Sequence, residues 1–190
     1  MAGIGHNSGQ VAEPGLSWRT HVWAKARRDL LPTLPIEVVR LRVKRAQELG
    51  LPYKTYAGIR ASTGHDLVGF LFSNNALGVL RAGQAVAEAR AAKLAALTDC
   101  ARLGLAHAPL APTALVPPLD TAHPAPRFTQ SWSAMRDHLK ALARSTGTPA
   151  DRLVLVGETA WEREWAEAMQ AAGYLDGARF FDGAGDHAQA

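Results

Sequence analysis

Two short apolar runs decide how this chain reads. Residues 67–72, LVGFLF, lead into Ser73-Asn74-Asn75, and residues 152–156, RLVLV, lead into Gly157-Glu158-Thr159. Each run has strand length and is rich in aromatic or β-branched residues, so each predicts a buried strand. Each ends in polar residues suited to capping a helix. Strands that feed helices in this way predict an α/β fold: a few-stranded parallel sheet covered by helices, with a helical N-terminal third. The second run, a helix over 160–172 and a short strand over 178–181 form a strand–helix–strand order, the unit of a right-handed parallel crossover.

Helical spacing dominates before the first run. Residues 17–31 place Trp18, Val22, Ala26 and Leu30 on one side, with Ser17 as the cap. Pro35 opens a second helix that Gly50 ends, and a third helix spans 52–61 and stops near Gly64. After the first strand an Ala-rich helix is expected over 75–97, resuming over 99–103. Residues 104–131 hold six of the eleven prolines and predict an extended loop or linker. A helix from Ser131 or Ser133 to Arg144 follows. The expected organisation is thus a disordered leader (1–16), a helical basic region (17–66), a strand plus long helix (67–103), the Pro-rich loop (104–131), and a helix with the strand–helix–strand unit (132–190) completing the same domain.

Length and composition bound the class. With 190 residues, 47% of them hydrophobic and 20% charged, the chain can bury a core without disulfides or metal. Cys100 is the one cysteine, so no intrachain disulfide can form, which fits a reducing compartment. No apolar run approaches the length of a membrane span, so a cytoplasmic protein is expected. The net charge of +4 is uneven. Residues 1–60 carry ten Lys/Arg against four Asp/Glu, whereas residues 151–190 carry three against eight. A basic front and an acidic rear suit a polyanion-binding face at one end.

Within the basic front, Ala46-x3-Gly50-Leu51-x3-Thr55-Tyr56-x2-Ile59 resembles the bacterial helix-turn-helix pattern. The resemblance covers residues 44–61. It departs from the pattern at Pro52, where a small polar cap is usual, at Gly58 within the second helix, and at Arg45, a position normally apolar. It implies DNA association: Tyr53, Lys54, Thr55 and Arg60 would face the groove, while Arg40, Lys44 and Arg45 would hold phosphates. On this reading the chain is a small transcriptional regulator or mobile-element accessory factor with nucleic acid as partner. The segment from Gly3 to Gly9 resembles the GIGHN start of assorted alphaproteobacterial proteins, several of them phage-related, and implies lineage without chemistry.

The alternative is a small-molecule-binding or enzymatic α/β domain. If the two strands are parallel neighbours, Ser73, Asn74, Asn75, Glu158 and Thr159 meet at one sheet edge beside two helix N-termini. That setting favours a phosphate- or carboxylate-bearing ligand. Glu158 would take a proton or bind a hydroxyl, and Asn74 would orient a carbonyl or phosphate. Asp120-x2-His123, His107, Asp182, Asp186 and His187 match no zinc spacing, so no metal and no cofactor are expected. Cys100 reads as a buried inert thiol in a helix, and Trp161 and Trp165 as core.

Overall fold

The apolar runs alternate in sidedness, and that alternation builds the core. Phe70 and Phe72 pack on one face of the sheet with Val154, Val156 and Leu175. Leu71 packs on the other with Leu103, Leu105, Leu153 and Leu155. A strand buried on both faces reads as a continuous apolar run, which is how these strands are visible in the sequence. The fold is that of a computed structural model, which describes residues 34–183. The helix expected over 17–31 lies outside the described residues.

Two compact units divide the chain, Met1–Val39 and Arg40–Ala190. Helix α1 (Ile36–Glu48) begins in the first and continues into the second. It is followed by α2 (Tyr53–Thr63), β1 (Gly69–Ser73), α3 (Asn74–Leu77), α4 (Glu88–Ala96), β2 (Ala101–Ala106), β3 (Thr121–Pro124), α5 (Trp132–Ser145), β4 (Leu153–Gly157), α6 (Ala160–Met169), β5 (Gly173–Asp176) and α7 (Gly177–Asp182). The five strands form one parallel sheet in the order β3-β2-β1-β4-β5. The α/β fold with a parallel sheet is therefore as the two runs imply, and the described part before β1 is helical.

One layer, containing Leu94 of α4, Tyr56 of α2 and Phe180 and Phe181 of α7, covers the face bearing Phe70 and Phe72. Met135, Leu139 and Leu142 of α5 and Trp165 and Met169 of α6 cover the other. Phe70, Phe72, Phe180 and Phe181 form an aromatic cluster with Phe70–Phe180 centroids 5.1 Å apart and Phe180–Phe181 centroids 5.0 Å apart. Each such side chain stabilises the fold by roughly 1.5–3 kcal/mol through burial. The chain steps from β1 to β2 to β3 in one direction, then returns through α5 to β4 and continues outward to β5. The direction therefore reverses between β1 and β4.

Four expectations need correction. The Ala-rich helix over 75–97 is two helices, α3 and α4. Gly78 ends α3 in the left-handed region at φ 73°, and Gly83 turns at φ 80°. Such values suit glycine and interrupt a helix despite favourable Ala content. Residues 99–103 do not resume a helix: Asp99 turns at φ 52° and β2 follows, paired with β1. The Pro-rich stretch is not a linker. It contains the end of β2, a 3-10 turn (Pro112–Leu115) and β3, and Leu110, Leu115 and Leu119 are buried. Residues 178–181 are helical within α7, and the strand lies earlier, at β5. The adjacent Phe180 and Phe181 resemble a strand in sequence, yet both pack on the sheet from a helix.

Candidate functional site

Ligands in open α/β sheets bind at the carboxyl ends of strands where the strand order reverses. Here that point lies between β1 and β4, whose register aligns Phe72 with Val156. The two polar trios therefore stand side by side, and the loop after β2 adds His107.

The trio after β1 has divided tasks. Ser73 is buried and caps α3, its Oγ accepting from the Ala76 amide at 3.0 Å. Asn74 is buried too. Its Nδ2 donates to Val79 O at 2.9 Å, and its Oδ1 accepts from the His107 amide at 2.9 Å. Asn74 thus ties the end of β1 to the end of β2 through backbone groups. Asn75 reaches across the reversal point, donating from Nδ2 to Glu162 Oε1 at 2.9 Å.

Glu162 is the centre of the arrangement. It is fully buried and belongs to a capping box: its amide donates to Thr159 Oγ1 at 3.2 Å, and its Oε2 accepts from the Thr159 amide at 3.0 Å. Oε2 also accepts from the Glu158 amide at 2.7 Å, and Oε1 faces His107 Nε2 at 3.0 Å. Burial alone would push this carboxyl up. Hydrogen bonds from His107, the Glu158 amide, Ser73 and the Thr159 amide outweigh burial and hold it below the usual carboxylate range. Glu162 is therefore an anion that only accepts, so the proton between it and His107 sits on Nε2. Nδ1 makes no hydrogen bond to any described residue and, with the proton on Nε2, is left as an acceptor.

Gly157 makes room for this anion. A Cβ there would stand 2.9 Å from Glu162 Cβ and 2.9 Å from Tyr174 Cε2. Tyr174 Oη donates to Thr159 O at 3.4 Å. Burial, then the charges of Asp176 and Glu162, push its phenol up to about 12, so it stays protonated.

A cavity of about 610 Å³ opens above, lined by Asn75, His107, Arg127, Phe128, Thr159 and Trp161 among others. The His107 ring stacks near Phe128 at 5.9 Å, and Phe128 stacks on Trp161 at 5.3 Å. Phe128 is 73% exposed, an unusual position for a large aromatic side chain. Trp165 is core, packed 4.9 Å from the His107 ring, whereas Trp161 is half-buried and forms a wall of the cavity.

Of the strand-end residues named from sequence, Asn75 and Thr159 line the cavity. Ser73 and Asn74 are buried and are not among the residues lining it. Glu158 is exposed and leans toward α7, its Oε2 2.5 Å from where a Cβ on Gly177 would sit. Glu162 was missed, and His107 was weighed only as a metal ligand and not as part of this site. His107 was hidden because β2 reads as helix and linker. Glu162 had a signal, the Thr-x-x-Glu spacing of a capping box after the second apolar run.

The helix-turn-helix-like segment does form two helices joined at a tight corner, with Gly50 in the left-handed region at φ 60°. Pro52 supplies no side-chain cap. Ala46, Leu49, Leu51 and Tyr56 are buried against the sheet, and Tyr53 packs half-buried beside them. Arg45 donates to Leu67 O at 2.9 Å and Asp99 O at 3.0 Å and pairs with Glu48 at 3.1 Å. Arg60 pairs with Asp66 at 3.3 Å, and Asp66 also accepts from Tyr56 Oη at 2.7 Å. Lys44 is largely exposed and lies 3.8 Å from Glu48. Lys54 and Thr55 border a separate cavity, and Arg40 lies on the exposed side of α1.

The remaining polar candidates have structural partners or stay apart. Arg102 pairs with Asp120 at 2.6 Å. His65 stands 3.8 Å from Asp151. Cys100 precedes β2 rather than lying in a helix, and burial pushes its thiol up. Among the described residues no group of three or more His, Cys, Asp and Glu is arranged to hold a metal, and no helix is long and apolar enough to cross a membrane. Asp186 and His187 lie outside the described residues. No family model, curated protein or solved structure matches the chain.

Proposed function

We propose that this chain is a small-molecule-binding α/β domain whose site lies at the carboxyl ends of β1, β2 and β4, with His107 as its proton-handling group. One observation carries the reading. The fully buried Glu162 holds His107 Nε2 at 3.0 Å and Asn75 Nδ2 at 2.9 Å beside a 610 Å³ cavity at the reversal of strand order. A buried carboxylate that orients an imidazole fixes which nitrogen faces a ligand, the geometry needed for general acid–base work. Phe128 and Trp161 suit a planar ring, and Arg127 suits a carboxylate or phosphate on it. The test is a thermal-shift screen of aromatic carboxylates, nucleotides and sugar phosphates. A stabilising ligand whose effect is lost in His107→Ala and Asn75→Ala supports the reading. Hits indifferent to both substitutions, or no hit at all, would overturn it.

DNA association is the second reading, supported by the tight corner between α1 and α2 and by the exposed Lys44 and Lys54. Arg40, Lys44 and Lys54 would anchor phosphates, with Tyr53 and Thr55 beside them. Arg45 and Arg60 would act from within their ion pairs. Affinity would fall steeply with salt. A mobility shift with duplex DNA at low salt tests it, and absence of a shift at micromolar protein would sink it.

A further inference from the structure

We propose that a second cavity, bounded by Lys54, Lys93 and Arg179, binds a small molecule carrying a condensed phosphate. This cavity measures about 530 Å³ and lies against the start of α2, with Lys93 coming from α4 and Arg179 from α7. Three cations thus converge from three elements that are far apart in sequence. Asp182 is the one carboxylate among the described residues lining it, so these walls keep an excess of positive charge.

Lys93 is fixed in place. Its ammonium donates to Phe180 O and stands 4.8 Å from the Phe180 ring centre, and the side chain is half-buried. Burial pushes its pKa down, opposed by the Asp182 charge, so the ammonium stands to gain from a further anion. Thr55, also in the wall, makes no side-chain hydrogen bond to any described residue. Helix α2 begins here without a side-chain cap and without an acidic residue in its first turn, so its own first turn does not offset the positive end of its dipole.

The charge count selects the ligand. A single carboxylate would balance one of the three cations, whereas a di- or triphosphate offers several charges and oxygens suited to an Arg fork and two ammonium groups. The concave shape and size favour a small molecule over a duplex. This inference rests neither on the His107 site nor on the DNA reading.

Calorimetric titration of the full chain with inorganic tripolyphosphate at low salt tests it. The expected result is saturable binding that weakens about tenfold or more in a Lys54→Ala/Arg179→Ala variant, and equally in Lys93→Met, but is unchanged in His107→Ala. Lys54 and Arg179 are exposed, so their removal should leave the thermal midpoint near that of the parent. Three outcomes overturn the proposal: no saturable binding, binding that the Lys54/Arg179 variant keeps, or binding lost only in His107→Ala. Duplex DNA bound through Lys54 and Arg179 with no uptake of tripolyphosphate would also overturn it.

Discussion

His107 Nε2 stands 3.0 Å from Glu162 Oε1, although the residues lie 55 positions apart on the ends of different segments. The parallel sheet brings them together: β2 and β4 both flank β1, and all three strands end at the same edge. Every group around the Glu162 carboxylate is a donor, and this makes the contact directional.

That donor shell yields the first prediction. In Glu162→Gln the amide nitrogen must face donors, and on the side of Oε1 this is relieved only if His107 changes tautomer and Asn75 turns its amide. We expect His107 to accept through Nε2 and carry its proton on Nδ1, which reverses the polarity offered to the cavity. Nitrogen chemical shifts of the His107 ring measure this directly. Stability should fall by about 1.5–3 kcal/mol, the range for hydrogen bonds to a buried charged group. An unchanged ring tautomer would contradict the assignment of the proton.

Acid should destabilise the fold through the same residue. The Glu162 carboxyl is held below its ordinary value of 4.5, so its contribution is present in full above that pH. It is lost as pH falls from there through the depressed folded value. Urea midpoints measured from neutral pH downward should decline more steeply below about pH 4.5 in the parent than in Glu162→Gln. Parallel curves would remove Glu162 from the acid response.

Two glycine replacements should act in opposite directions. Gly157→Ala puts a methyl 2.9 Å from Glu162 and Tyr174, which costs about 1–3 kcal/mol by overpacking. Gly58 lies within α2 with nothing within 4 Å of an added Cβ. Gly58→Ala should therefore stabilise by about 0.4–1 kcal/mol, chiefly by restricting the unfolded chain. Thermal melts of both variants decide the signs.

Arg45 gives a prediction that separates structure from DNA contact. Its guanidinium bonds two backbone carbonyls and pairs with Glu48 and Asp66. Arg45→Ala should cost about 1.5–3 kcal/mol of stability. Lys44→Ala, at an exposed i,i+4 pair, should cost at most about 0.5 kcal/mol. Chemical denaturation of the two variants side by side checks the contrast, and equal losses would refute it.

The strands after which the site is built were legible because burial on both faces demands continuous apolar runs, and residues 67–72 and 153–156 supply them. Helices α1, α2, α5 and α6 were legible from period and caps, with Ser131 and Thr159 capping as their residue types predict. The polar trios were legible as neighbours only on condition that their strands pair, and pairing is a property of the sheet. Strand β2 was not legible. Its sequence, ARLGLA, is short and Ala-rich, and it becomes a strand because β1 and β3 hydrogen-bond it on both sides. With β2 hidden, His107 had no address. By itself, then, the sequence determined the α/β class, two strands of the sheet centre and the capping residues at its edge, since these depend on local periodicity and local hydrogen bonds. Only the tertiary structure decided that Glu162 turns inward to hold His107 and that Lys54, Lys93 and Arg179 surround one cavity, because those meetings depend on strand order and helix placement across the whole sheet.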